Sequence, residues 1–289
     1  MLYGVIDIGS NSVRLMLSDG VVSLEKKVIT TKLSEGLAKK NFLLEMPMAR
    51  TCKAIFDLVE YAKISQVDKL YVFATEALRS ATNSNDFINM VKIKCGVDIE
   101  VISSETEAKV GFFGAYNKGI CCVVDIGGAS TEIVVGNKKK IYYSKSVPIG
   151  VVKIRDICED NKDIMLNYID TALKEYGEIP SFDMMIAIGG TGGTVVAVLE
   201  NMVQYDPKKV HNYILNKKQI LDVAEKVRST STAKRGNIVG LSQNRADIIV
   251  GGCFLLAKIM QKLNVENLIV SESDNLEGYL KRKLADEEI

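Results

Sequence analysis

The sequence predicts an α/β chain made of two similar lobes, each built on a partly parallel sheet flanked by helices. Three observations carry that expectation. A strand, an Asp-Ile-Gly break, a hydroxyl-rich turn and a second strand occur twice. The first copy is Gly4-Val5-Ile6-Asp7-Ile8-Gly9-Ser10-Asn11-Ser12-Val13-Arg14-Leu15-Met16-Leu17, and the second is VVDIGGASTEIVV at 123–135. Copies so far apart mark a duplicated lobe, not a short solenoid repeat. Apolar strands alternate with helix-spaced apolar residues between and after the copies. Finally, at 289 residues two domains are the default expectation. The first lobe is placed at 1–119 and the second at 120–274, with a closing helix at 275–289 set to pack back on the first.

Each turn has the makings of an anion site. Glycines leave backbone N–H groups free to face an anion, and Ser130 and Thr131 add hydroxyl donors. Asp125, at the end of its strand, puts a carboxylate beside that anion, where a hard cation such as Mg²⁺ would sit. A third break, Ile188-Gly189-Gly190-Thr191-Gly192-Gly193-Thr194, follows an apolar run and opens a helix. The first amides of that helix, near Gly190 and Thr191, suit a phosphate. The alternative reading of each turn is a plain hairpin with no ligand.

In chain order, residues 21–24 and 27–30 read as further antiparallel strands, and Met48, Cys52, Ile55, Phe56 and Val59 mark an amphipathic helix over 46–64. Residues 70–74 form a buried strand, and Thr75 to Arg79 a short helix or turn. Ser84 or Asn85 caps a helix that ends near Gly96, and 98–102 is another strand. A helix then runs from Ser104 to about Lys118. Ser104 with Glu107 three residues on fits a capping box, which gives Glu107 a structural task. The functional alternative is a carboxylate placed to act as a base for water. In the second lobe, helices are expected at 163–176, from 195 to about 202, around Ile220 to Val227 and from Arg245 to Gln261, with the closing helix from 276 to 284 after it. Strands are expected at 184–188 and 268–270. Gly251 and Gly252 read as close-packing positions. Lys138, Lys139 and Lys140 read as a solvated loop, and the lone His211 as a non-catalytic residue.

Composition narrows the function. Apolar residues are 47% and charged residues 25%, ordinary for a soluble globular chain. A net charge of +1 gives no electrostatic case for nucleic acid or a membrane surface. No apolar run reaches the roughly 18–20 residues that span a bilayer, and the start shows no charged leader region. The six cysteines have neither zinc spacing nor a disulfide pattern, so reduced thiols in a cytoplasmic protein are expected.

The stretches IDIGSNSVRLML, FATEALRSATNS, VISSETEAK, VVDIGGASTEIVVG, VPIGVV, AIGGTGGT and GLSQNRADIIVGG, in this order, resemble the exopolyphosphatase / guanosine pentaphosphate phosphohydrolase family. That family lies within the actin, sugar-kinase and heat-shock-chaperone superfamily. The resemblance covers nearly the whole chain, in a short two-domain form. It implies two actin-like (ribonuclease H-like) lobes with mixed sheets and a cleft between them. It also implies Mg²⁺-dependent removal of terminal phosphates from inorganic polyphosphate or guanosine pentaphosphate, and a homodimer. Mapped by motif, the catalytic base falls on Glu107 and the arginine of the Thr-x-x-x-Arg segment on Arg79. The metal-side carboxylates fall on Asp7, Asp125 and Glu132. Phosphate contacts fall on Ser10, Asn11, Ser12, Gly127, Gly128, Ser130 and Thr131, joined by Gly190 and Thr191 of the third turn.

Two departures from the family pattern stand out. Its third glycine in the second turn is Ala129, which restricts the backbone if that position needs a positive φ. Its C-terminal Gly-Leu-Arg-Glu-Gly reads Asp274-Asn275-Leu276-Glu277-Gly278, so an arginine is replaced by Leu276. Two rival functions follow from the same fold: an ATP-dependent phosphotransferase, and a non-catalytic protein that senses polyphosphate or an alarmone.

Overall fold

The computed structural model describes residues 1–287. The chain divides into two compact units, one made of Met1–Gly114 with the chain from Asn275 onward, the other of Ala115–Asp274. In the first unit the elements are β1 (Tyr3–Ile8), β2 (Ser12–Ser18), β3 (Ser23–Thr30), α1 (Leu37–Lys40), α2 (Glu45–Ile64), β4 (Lys69–Ala74), α3 (Glu76–Ser80), α4 (Ser84–Cys95), β5 (Glu100–Val101) and α5 (Ser104–Ala115). The second unit holds β6 (Cys121–Ile126), β7 (Thr131–Gly136), β8 (Ile141–Val147), α6 (Val151–Cys158), α7 (Lys162–Leu173), β9 (Met184–Ile188), α8 (Gly190–Leu199), α9 (Pro207–Val210), β10 (Ile214–Asn216), α10 (Lys217–Ser229), α11 (Ile249–Lys262) and β11 (Asn267–Val270). The last helix, α12 (Asn275–Glu287), returns to the first unit.

The two sheets share one plan. The first has the order β3-β2-β1-β4-β5 and the second β10-β11-β9-β6-β7-β8. In each, an antiparallel three-strand meander (β1-β2-β3, β6-β7-β8) continues through its first strand into a parallel pair (β1 with β4, β6 with β9). The sheets are therefore mixed, and the first strand of each hairpin lies inside the sheet, not at its edge.

Strand alternation decides what covers each face of the first sheet. Ile6 and Ile8 of β1, with Val13 and Leu15 of β2, pack in a cluster with Cys52, Ile55 and Val59 of α2. Val5, Met16 and Phe73 point the other way and meet Val110 of α5 and Leu276, Tyr279 and Leu280 of α12. Phe73 and Tyr279 stack at 4.3 Å. Each such side chain, taken fully out of water, contributes about 1.5–3 kcal/mol. Leu276 is 1% exposed, so the position where the family pattern has an arginine here belongs to the apolar core. A Cβ on Gly278 would lie 1.7 Å from the Val110 carbonyl oxygen, so the backbones of α5 and α12 touch there.

Several element boundaries differ from the sequence reading. The strands expected at 21–24 and 27–30 are one strand, β3, and the strand expected over 98–102 shrinks to β5. Phe56 is 44% exposed and lies off the apolar stripe of α2, whose buried positions run through Cys52, Ile55, Leu58 and Val59. The cap position of α4 is Asn83, whose side chain instead bonds the backbone N–H and C=O of Leu43. The helix expected from 195 starts five residues earlier at Gly190, so the glycine run is its first turn. Only Gly189 there needs a positive φ, at 78°. Strand β8 is interrupted by Ser144, Lys145 and Ser146 and β10 is only three residues long, so neither reads as a strand from sequence, and α10 carries a full Asn216–Gln219 capping box. No helix among the described residues is long and apolar enough to cross a membrane.

One carboxylate anchors α12 electrostatically. Glu100 accepts from the Tyr279 hydroxyl at 2.5 Å and faces Lys283 at 2.6 Å and Arg282 at 3.1 Å. Partial burial raises its carboxyl pKa, but the Lys283 and Tyr279 hydrogen bonds and the two cations outweigh that and bring it down to about 2. A depressed carboxyl contributes stability that is present above its unfolded pKa and lost as pH falls through the folded one. We therefore expect Glu100→Gln to be less stable than the parent at neutral pH. That deficit should shrink between about pH 4.5 and pH 2, as read from urea unfolding midpoints across that range.

Candidate functional site

The two hairpin turns are built alike. Gly9 N–H donates to the Ser12 carbonyl at 3.0 Å, and Gly127 N–H donates to the Ser130 carbonyl at 3.0 Å. A Cβ on either glycine would sit 3.1 Å from that same carbonyl oxygen. Among the described residues no acceptor takes the amides of Ser10 and Asn11 in the first turn, or of Gly128, Ala129 and Ser130 in the second. Successive amides left open in this way form an anion-binding concavity. Ser10, Asn11 and Ser130 are all buried, and Ser12 and Gly127 are half-buried.

Each turn is braced from behind. In the first unit the carbonyls of Ser10 and Asn11 accept from the amides of Ser34, Thr31 and Lys32. In the second, the opening amides of α6, from Val151, Val152 and Lys153, donate to the carbonyls of Gly127 and Gly128. Ala129 causes no strain, because neither it nor Gly128 has a positive φ. The glycine that close approach demands is Gly150, where a Cβ would lie 2.5 Å from the Ala129 nitrogen. Thr131, expected to touch phosphate, donates its hydroxyl to the Ile149 carbonyl at 2.6 Å and is fully buried. It braces the turn. Thr191, another expected phosphate contact, is 3% exposed and packs against Gly252 of α11, where its Oγ1 lies 2.8 Å from the place a Cβ would take. Gly251 likewise packs on Ile154.

What stands opposite each Asp differs. The register pairs Asp7 with Arg14 and Asp125 with Glu132. Arg14 holds Asp7 Oδ2 through Nε at 3.0 Å and through a terminal nitrogen at 2.5 Å. Asp7, expected on the metal side, thus already has a cation. Glu132 is 2% exposed and accepts from the Ser146 hydroxyl at 2.6 Å. Gly189 backs onto Asp125, since its Cβ would sit 2.9 Å from Asp125 Oδ1. Mg²⁺ usually takes one or two carboxylates and completes its shell with water and phosphate oxygens. Asp125 and Glu132, on one face beside an open-amide turn, fit that pattern. Among the described residues no group of three His, Cys, Asp or Glu side chains gathers to hold a metal.

Arg245 was not read from the sequence as a site residue. Its guanidinium covers Gly190, within 2.0 Å of where a Cβ would be, and so sits over the start of α8. The sequence shows it only as the polar edge of an apolar helix, yet it lies in the short 3₁₀ turn Gln243–Arg245 before α11.

The first unit brings Glu107 and Arg79 together. The cap of α5 is Ser103, whose Oγ accepts from Thr106 N–H at 3.1 Å. The Ser104–Glu107 box is therefore absent, and the Glu107 carboxylate turns to Arg79 at 2.6 Å. Arg79 also donates to Glu76 at 2.9 Å and to the Ile102 carbonyl at 2.8 Å. Burial pulls the Arg79 guanidinium pKa down, but the charges and hydrogen bonds of Glu107 and Glu76 overcome this and raise it. Asp7 lies on the sheet face that α5 covers, because it stands two residues from Val5 on the same face of β1.

The remaining candidates are structural. All six cysteines are buried free thiols. His211 Nδ1 accepts from the Glu272 amide at 3.2 Å, and Lys138, Lys139 and Lys140 are exposed. A cavity of about 390 Å³ lined by Ile179, Phe182 and Leu263 lies before β9, at the strand end opposite Gly189. Ligands of such sheets sit at the carboxyl ends of strands.

A family model described as the Ppx/GppA phosphatase family matches residues 16–287. The chain is 32% identical to a bifunctional 3-dehydroquinate synthase/phosphatase of Fusobacterium nucleatum, over 96% of this chain and 46% of that protein. It is 26% identical to exopolyphosphatase 2 of Mycobacterium tuberculosis, over 94% and 95%. It is 27% identical to the guanosine-5'-triphosphate,3'-diphosphate pyrophosphatase of Photobacterium profundum, over 96% and 58%. The chain thus spans about half the length of two of these relatives and nearly all of the third. Among solved structures, a Ppx/GppA family member from Aquifex aeolicus matches with a TM-score of 0.80 and 28% identity, over 100% of this chain and 99% of that one.

The brace on the second turn gives a direct check. Gly150→Ala should push a methyl into the Gly128–Ala129 backbone and lower the unfolding free energy by about 1–3 kcal/mol, measured by urea titration.

Proposed function

The chain belongs to the Ppx/GppA phosphatase family, and from that premise we propose that it removes terminal phosphates from inorganic polyphosphate with Mg²⁺. Guanosine pentaphosphate is the second reading. The order follows from coverage, since the chain spans 95% of the mycobacterial exopolyphosphatase and 58% of the guanosine-nucleotide pyrophosphatase. A cytoplasmic location and a homodimer go with this reading; the six free thiols support the first and the family resemblance the second.

The observation that carries the mechanism is the Glu107–Arg79 pair. Glu107 is no helix cap, and its buried carboxylate beside the Arg79 guanidinium brings a proton acceptor and an anion-stabilising cation to one place. Glu107 takes the proton of the attacking water as the new P–O bond forms. The bridging P–O bond breaks, and its electron pair leaves on the shortened chain's terminal oxygen. Arg79 stabilises the charge spread over the transferred group's oxygens. In the second unit, the amides of Gly128, Ala129 and Ser130 hold anionic oxygens, and Arg245 adds a cation at the Gly189–Gly190 turn. Asp125 and Glu132 would hold the Mg²⁺, which when bound neutralises phosphate charge. Among the described residues no Ser/His/Asp or Cys/His set competes for the role of a covalent nucleophile.

Glu107→Gln keeps an acceptor for Arg79 but cannot take a proton. It should fold like the parent and lose at least about 100-fold in phosphate release. Unchanged turnover would sink the assignment of Glu107 as base. Asp125→Asn should weaken the Mg²⁺ dependence of phosphate release from polyphosphate, because an amide lacks the carboxylate's attraction for a hard cation. Release that keeps the parent's Mg²⁺ profile would remove Asp125 from the metal site. ATP-dependent transfer to a small acceptor would favour the phosphotransferase, and tight binding without turnover the sensor.

A further inference from the structure

Arg79 is shared between two acids. One terminal nitrogen of its guanidinium, with two hydrogens to give, lies 2.6 Å from Glu107 Oε2 and 2.9 Å from Glu76 Oε2. Both its hydrogens are therefore engaged. The three side chains are largely buried, at 17%, 16% and 8% exposure for Arg79, Glu76 and Glu107. Glu76 is in turn fixed by Ser80, whose hydroxyl donates to its other oxygen. One positive charge thus faces two negative ones in a poorly hydrated place.

This arrangement answers a difficulty in the reading above, on which the inference rests. A guanidinium at hydrogen-bond distance opposes protonation of a carboxylate, so Arg79 alone would make Glu107 a poor base. It would also be stranded as a buried unpaired charge if Glu107 left it. We propose that Glu76 is a positioning residue that keeps Arg79 compensated while Glu107 lets go of it. With Glu76 as the standing counter-ion, Glu107 exchanges its bond to Arg79 for one to the attacking water. An incoming phosphate oxygen takes the vacated hydrogen of Arg79. The same charge makes Arg79 a weaker anion binder than it would otherwise be.

The test is Glu76→Gln, which keeps the size and a hydrogen-bond acceptor and removes only the charge. Steady-state phosphate release from inorganic polyphosphate should show kcat down about tenfold, because Arg79 now belongs wholly to Glu107. KM should fall by roughly threefold, because Arg79 is less neutralised towards an anion. Glu76→Ala should move both constants the same way. A merely structural role predicts the opposite for KM, a rise accompanied by a lower melting temperature. An equilibrium arm uses the Glu107→Gln background, where adding Glu76→Gln should tighten binding of inorganic tripolyphosphate. If Glu107→Gln abolishes turnover but Glu76→Gln leaves kcat and KM unchanged, or raises KM, the role of Glu76 is wrong and the base assignment stands. Should Glu107→Gln itself retain turnover, the underlying reading fails first.

Discussion

The bond from Gly9 N–H to the Ser12 carbonyl, and its counterpart from Gly127 to Ser130, fix the conformation on which both units are organised. A four-residue connection closed in this way turns its middle amides away from the chain. Because β1 and β6 are interior strands, each turn stands over a covered sheet and not on a free edge. The bracing follows from the same constraint. Carbonyls that the turn directs backwards need donors, and residues 31–34 supply them in one unit and the first amides of α6 in the other.

How far this was legible in the sequence depends on whether the signal was local. The duplicated strand-turn-strand was legible because Asp, Gly and hydroxyl residues recur at fixed offsets. So were α2, from its apolar spacing, and the buried strands β4 and β9. The cap of α5 was misplaced by one residue, since Ser103 and Ser104 are equivalent in sequence and only the Thr106 amide distinguishes them. Thr131 and Thr191 look like phosphate donors in a string of hydroxyl residues, but the strand turns Thr131 to the Ile149 carbonyl and the helix sets Thr191 against Gly252. Arg245 and Glu76 were missed because their significance comes from partners distant in sequence or from sharing one guanidinium.

Ala129 and Leu276 teach the same lesson in reverse. Each departs from a family pattern and so reads as a loss. Yet Ala129 occupies a turn whose backbone never enters the left-handed region, and the demand for a glycine falls on Gly150. Leu276 completes an apolar contact with Val5 and Phe73 that a charged side chain would disrupt. A substitution's effect is set by what the position touches.

The paired hairpins also show how one scaffold carries two electrostatic arrangements. The cross-strand partner of the Asp is a cation in β2 and an anion in β7. At about 4 Å, opposite unit charges attract by roughly 4 kcal/mol in a surface-like dielectric, and like charges repel by as much. Asp7 therefore already has a cation at its Oδ2 in Arg14. Asp125 with Glu132 concentrates negative charge on one face at 2% exposure for Glu132, and an arrangement of that kind is stabilised by a hard cation. A single cross-strand exchange, arginine against glutamate, thus gives one hairpin an internal ion pair and the other a pair of acids on one face.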